Sequence, residues 1–164
     1  MKALLVENVH PDATASLQAA GITVSTRSGA LDERELSEAI ARLSQLREEL
    51  KAAIDADAAS YDAVMKAFKQ AKESAANNGL VTEALKQATS VPLSVAECAQ
   101  EVSQWAEKLG PITNPRMASD LGVSKALARA AKEGALANVE INLEGLDDAA
   151  FVTSVRKRVA EISK

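Results

Sequence analysis

From Leu31 onward the apolar residues of this chain recur at helical spacing: Leu36, Ile40, Leu43, Leu46, Leu50, Ile54, Tyr61, Val64 and Phe68. Steps of three and four predict one long amphipathic helix reaching about Ala71, its apolar stripe turned inward. Asp32 can cap it, with Glu35 in capping-box spacing. One step in the stripe is missing, and Asp57 fills it. The polar stretch AKESAANNGL (71 to 80) carries an Asn-Asn-Gly turn signal. A second helical region starts near Val81 and meets Pro92, which should kink or restart it. Val95, Cys98, Val102, Trp105 and Leu109 then form a stripe that ends at Gly110-Pro111. A third helix is expected from about Met117 to Ser119, through Leu121, Leu127, Ala131 and Leu136. The last follows Gly145, with Asp147 and Asp148 in its first turn and Phe151, Val155, Val159 and Ile162 as its buried face.

The first 31 residues have a different rhythm. KALLV (2 to 6) is an apolar run of strand length, and ITVST (22 to 26) is β-branched and alternating. Between them Pro11 suits the first position of a helix, Asp12 suits its positive end, and Gly21 is placed to stop it. The expected fold is therefore mainly α: residues 1–31 as a short βαβ segment and residues 32–164 as a helical bundle. Two short strands leave open edges, so a regulatory or scaffold role by edge pairing is one weak reading of the segment.

Composition narrows the chemistry. The chain has 164 residues, 47% hydrophobic but only 2% aromatic, so its core is built of Ala, Leu, Val and Ile. A net charge of -4 lacks the basic footprint of a nucleic-acid binder. One cysteine excludes an internal disulfide and a Cys-rich metal site. No stretch approaches a membrane span, and MKALLVENVHPD does not read as a signal peptide. A cytoplasmic protein without nucleic-acid or membrane partners is expected. There is no glycine-rich phosphate loop, metal-ligand spacing or nucleophile motif.

Few residues stand out as chemical candidates. A carboxylate on a buried stripe is costly unless its pKa rises or a polar cavity receives it, and those are also the conditions of a general acid or base. The residues alone slightly favour the plainer alternative, in which the helix turns near Ala56 and Asp57 reaches the surface. Ser119-Asp120 suits a helix start. Asn138 and Asn142, four apart, share a helical face and could bind a heterocycle edge or close a helix end. His10 reads as a turn residue, Cys98 as core filler, and Arg47 to Lys51 as a solvated face.

From about Leu43 to Ile162 the chain resembles the formiminotetrahydrofolate cyclodeaminase and methenyltetrahydrofolate cyclohydrolase family. The matching stretches are DADAASYDAVMKAFK (55 to 69), ALKQATSVPLSVAE (84 to 97), NPRMASDLGVSKAL (114 to 127) and NVEINLEGLDDAAF (138 to 151). Four segments in order and at the right spacing are far more specific than any one. The resemblance implies an all-helical dimer acting on one-carbon derivatives of folate, with no cofactor beyond that tetrahydrofolate substrate and no metal. It puts the catalytic aspartate, in an Asp-Ala-x-x-Tyr/Phe motif, on Asp57, reversing the reading from the residues alone. It also implies that Asn114, Ser119, Asp120, Asn138 and Asn142 bind substrate or line the subunit contact.

Residues 1–40 instead resemble the extreme N-terminus of D-3-phosphoglycerate dehydrogenase, through the words ENVHPDA and GALDERELSEA. No cofactor-binding or catalytic motif of that enzyme lies in this stretch. The two resemblances together describe a chimera. The cyclodeaminase family's Pro-Gly-Gly-Gly loop and first small-residue helix are missing from the sequence, and its last helix is short. Folate one-carbon chemistry is therefore the primary expectation. The alternative is a non-catalytic chimeric or engineered helical protein that keeps the fold only.

Overall fold

A computed structural model describes residues 2–5, 11–26, 33–74 and 78–163. The chain runs β1 (Lys2–Leu5), α1 (Pro11–Ala19), β2 (Thr23–Thr26), α2 (Glu33–Glu73), α3 (Asn78–Leu109), α4 (Ala118–Glu144) and α5 (Ala149–Ile162). Strands β1 and β2 are parallel, Lys2 opposite Thr23 and Leu5 opposite Thr26. Helix α1 begins at Pro11 and ends where Gly21 takes φ +73°, a conformation that side-chain-bearing residues rarely adopt. The Asp32 cap and His10 lie outside the described residues.

Helix α3 is the spine of the bundle. It packs on α2 along one side and on α4 along another, and it also meets α5. The continuous core is the seam of α3, α4 and α5, where Leu93, Ala96, Val139, Leu143, Val155 and Ile162 meet. Alanines at 96, 99, 128 and 135 are buried at the crossings. Small side chains let helix axes approach, which is why a core almost without aromatics suffices.

Pro92 neither kinks nor restarts the helix enough to divide it: α3 is a single element with Pro92 inside it and buried. A proline removes the hydrogen bond to the carbonyl four residues back, here that of Ala88. Asn142 of α4 replaces it, donating through Nδ2 to the Ala88 oxygen at 2.9 Å. The tertiary contact supplies what the local sequence lacks.

The stripes are shifted from their expected phases. On α2, Ala39, Leu46, Ser60 and Ala67 are buried, whereas Ile40, Ile54, Tyr61 and Phe68 are exposed, Ile54 at 70%. Only part of the apolar arc has a neighbour, so the rest faces outward. Likewise Leu127 and Ala131 of α4 are exposed, and Ala128, Ala135, Val139 and Leu143 face the core. The stripe Val95, Cys98, Val102, Trp105 and Leu109 is half-buried, the core side of α3 being Leu93, Ala96 and Ala99. The buried face of α5 meets expectation, with Val155 and Ile162 buried and Phe151 and Val159 packed against the core, but Asp147 and Asp148 precede the helix and do not lie in its first turn. Its cap is Asp148, whose side chain accepts from the Phe151 N–H at 3.0 Å.

Polar pairs fasten α2 to α3. Arg42 reaches Glu101 with two nitrogens, at 2.7 and 2.6 Å, and Glu49 at 3.1 Å. The fork holds the Glu101 and Glu49 carboxyls below their ordinary range, opposed by partial burial. Behind them the Cys98 thiol stands 3.5 Å from Glu49. Burial, and then the Glu49 hydrogen bond, push it up to about 11.

A candidate site between three helices

Asp57, Ser60, Tyr61 and Val64 of α2, Ala88 of α3, and Asn138 and Asn142 of α4 line one depression of about 180 Å³. The arrangement follows from helical spacing. Asp57 and Tyr61 are one turn apart on α2, and Asn138 and Asn142 one turn apart on α4. Between these walls the floor is Ala88, whose methyl leaves the gap open. Two features of α3, the small residue at 88 and the proline at 92, thus make both the space and the anchor for Asn142.

Asp57 is exposed, not buried. The expectation of an inward carboxylate in a dry interior is corrected: the register that buries Ser60 and Leu46 turns Asp57 to the rim. The neighbouring Ser60 hydroxyl donates to the Asp57 backbone carbonyl at 2.8 Å, which fixes this turn of α2. Asn138 is exposed and Asn142 half-buried. With Nδ2 of Asn142 committed to Ala88, its amide oxygen is the group left to offer as an acceptor. The depression therefore combines one carboxylate, two carboxamides and a phenol with an apolar base.

Asn114, Ser119 and Asp120 stand elsewhere. Eighteen residues separate Asp120 from Asn138 on α4, about 27 Å at 1.5 Å per residue. Asn114 caps a 3-10 turn (Pro115–Met117), its Oδ1 accepting from the Arg116 N–H at 3.0 Å. Ser119 is not the cap of α4, because Met117 holds that position; Ser119 and Asp120 are exposed in its first turn. One chain thus brings three of the six expected residues together and leaves three at the far end of α4.

Sequence reasoning missed Ser60, Tyr61 and Ala88 as lining groups. The spacing puts Tyr61 in the apolar stripe, although its place four residues after Asp57 in the Asp-Ala-x-x-Tyr motif is a signal for it. Nothing local marks Ala88, whose role depends on its neighbours. Among the described residues there is no group of three His, Cys, Asp or Glu that could hold a metal ion, and no helix is long and apolar enough to cross a membrane.

Comparison with known proteins adds the following. The family model described as formiminotransferase-cyclodeaminase matches residues 13–161, reaching back through β2 into α1. A methenyltetrahydrofolate cyclohydrolase of Methylorubrum extorquens is 37% identical over 73% of this chain and 59% of its own. The formimidoyltransferase-cyclodeaminase of Sus scrofa is 32% identical over 69% of this chain and 22% of its own. The crystal structure of formiminotetrahydrofolate cyclodeaminase from Thermotoga maritima superposes with a TM-score of 0.67 at 29% identity, covering 73% of this chain and 58% of that one. The matched part of the chain spans about three fifths of the cyclohydrolase and about a fifth of the bifunctional enzyme.

Proposed function

The chain belongs to the formiminotransferase-cyclodeaminase family, and on that footing we propose that its Asp57 depression binds a one-carbon derivative of tetrahydrofolate and acts on the carbon bridging two nitrogens. Two reactions fit the groups. In hydrolysis, a water oxygen bonds to the methenyl carbon as Asp57 takes one of the water's protons; Asp57 returns it to one ring nitrogen as that carbon–nitrogen bond breaks, and the remaining hydroxyl proton leaves to solvent as the formyl C=O forms. In cyclodeamination, the folate nitrogen bonds to the formimino carbon, ammonia leaves, and Asp57 carries the proton from the entering to the departing nitrogen. Both need a base within reach of the substrate, and an exposed carboxylate at a rim meets that need. Asn138 and Asn142 are suited to orient the pterin amide edge by paired donors and acceptors.

The observation that carries this reading is the convergence of Asp57, Asn138 and Asn142, drawn from segments about eighty residues apart, into one depression. Chemistry is assigned to the bundle (32–164) and none to the βαβ segment, whose likeness to a dehydrogenase terminus brings no site. Following the absorbance of methenyltetrahydrofolate with the purified protein tests the hydrolytic form, and ammonia release from the formimino derivative tests the other.

A second reading has an observation in its favour. The depression is smaller than the roughly 300–1,000 Å³ of ordinary small-molecule sites, so a single chain could keep the fold without turnover. Calorimetric titration with folate derivatives separates the two readings, saturable micromolar binding supporting the enzyme.

A further inference from the structure

Trp105 is the only tryptophan of a chain that is 2% aromatic, and it does not lie in the core. It is half-buried. Together with Gln104 and Lys108 of α3 and Glu161 and Ile162 of α5 it lines a depression of about 470 Å³. That volume falls within the roughly 300–1,000 Å³ of small-molecule sites. Helical spacing builds one wall, because Glu97, Glu101, Gln104 and Lys108 follow at steps of four and three along one face of α3. Helix α5 lies alongside, tied by Arg158, which donates to Glu97 at 2.9 and 2.6 Å. The depression shares no residue with the Asp57 site. Trp105 stands seventeen residues beyond Ala88 on α3, about 25 Å along its axis.

The tryptophan ring already holds a cation. The Lys108 ammonium stands over it, 4.6 Å from the centroid, where a positive charge meets the negative face of the π system. The N–H edge of the ring is fixed separately, donating to a Glu101 oxygen at 3.4 Å. Three carboxylates and two cations line the depression, so its field favours positive charge. Glu101 is engaged by Arg42, and Glu97 by Arg158. Glu161 makes no ion pair among the described residues, so its carboxylate is the one left to receive a ligand. Helix α5 also ends here, at Ile162, and the carbonyl end of a helix attracts cations. The Ile162 carbonyl draws one already, the Lys132 ammonium at 3.5 Å.

Lys108 is exposed, and its flexible four-carbon stem lets it swing clear. Its ammonium marks the place that a ligand's ammonium would take. We propose that the Trp105 depression binds a free alkylammonium of the polyamine class, one ammonium replacing that of Lys108 on the indole face and another meeting Glu161. The internal occupant is an alkylammonium, which selects that class over a guanidinium. Magnesium sheds its water reluctantly and gains little from an indole face. The site is independent of the folate reading.

With one tryptophan in the chain, emission reports on this depression alone. Spermidine titrated into the full chain should shift Trp105 emission along a saturable curve. Lys108→Ala removes the internal occupant and should tighten binding by about two- to fivefold, as expected for one exposed cation–π contact. Glu161→Gln should weaken it by about two- to fivefold, as for a surface ion pair. Both side chains are exposed, so neither substitution threatens the fold. Asp62→Asn, which removes an exposed charge on α2, should leave the affinity unchanged, and magnesium chloride at matched ionic strength should leave the emission unchanged. Emission that ignores spermidine, or that answers magnesium as strongly, overturns the proposal. So does a Lys108→Ala chain that binds no tighter. Equal weakening by Glu161→Gln and Asp62→Asn overturns it too, because attraction by net charge alone would then account for the binding.

Discussion

The carbonyl of Ala88 and the side-chain nitrogen of Asn142 meet at 2.9 Å, and this one bond repairs the backbone defect of Pro92 while fixing a wall of the candidate site. The carbonyl that Pro92 leaves without its helical donor is buried, where an unmade hydrogen bond costs about 1–3 kcal/mol. Asn142→Ala should therefore destabilise by about that amount. Pro92→Ala restores the missing N–H, so Asn142→Ala should cost less in that background. Denaturant unfolding of the four proteins of the double-mutant cycle measures the difference, and equal costs in both backgrounds would refute the repair.

Two apolar residues on α2 should behave oppositely. Leu46 is fully buried and Ile54 is 70% exposed. Leu46→Ala should cost about 2–5 kcal/mol, and Ile54→Ala should stay within about 0.5 kcal/mol in a monomeric background. Comparable losses at both positions would mean that α2 is rotated relative to the bundle described above.

The Arg42–Glu101 fork gives stability a pH dependence of defined sign. Arg42 holds the Glu101 carboxyl below its ordinary 4.5. A depressed carboxylate contributes fully above its unfolded value and loses that contribution as pH falls through the folded one. Glu101→Gln should therefore lower the melting temperature at pH 7, and the gap from wild type should close as pH drops below about 4.5. A gap that widens on acidification would contradict the pairing.

Cys98 should be a slow thiol. Held at about 11, it is almost wholly protonated at pH 8, so alkylation by iodoacetamide should run far below the rate of a free cysteine. The rate should keep climbing past pH 9, where that of an unperturbed thiol levels off. A plateau near pH 9 would show that burial against Glu49 is not maintained.

Much of this architecture was legible in the residues. The long helix α2, the α5 face from Phe151 to Ile162, and the strand at Thr23 follow from spacing and turn chemistry alone. The phase of α2 did not. Periodicity shows which residues share an arc, but not which part of the arc finds a neighbour, and Ile54 and Tyr61 lie on the part that does not. Pro92 was a visible signal with the wrong consequence, since its cure comes from a residue fifty positions later. Asp57 is singled out by the motif, and its exposure matches the plainer reading of the residues alone, in which it reaches the surface; the inward placement drawn from the resemblance is the part the structure corrects. Asn138 and Asn142 were placed on one face by counting; that Asp57 faces them required the helices to be assembled. Ser119 and Asp120 illustrate a different boundary, because no contact within one chain relates them to that depression.

The most direct test of the folate reading is the rate at which the purified protein removes methenyltetrahydrofolate, followed by absorbance for wild type and Asp57→Asn side by side. Loss of general-base function should lower the rate by about 10²–10⁴-fold while folate binding persists. Equal rates in the two proteins would contradict the role assigned to Asp57 and, with it, the chemistry proposed for this depression.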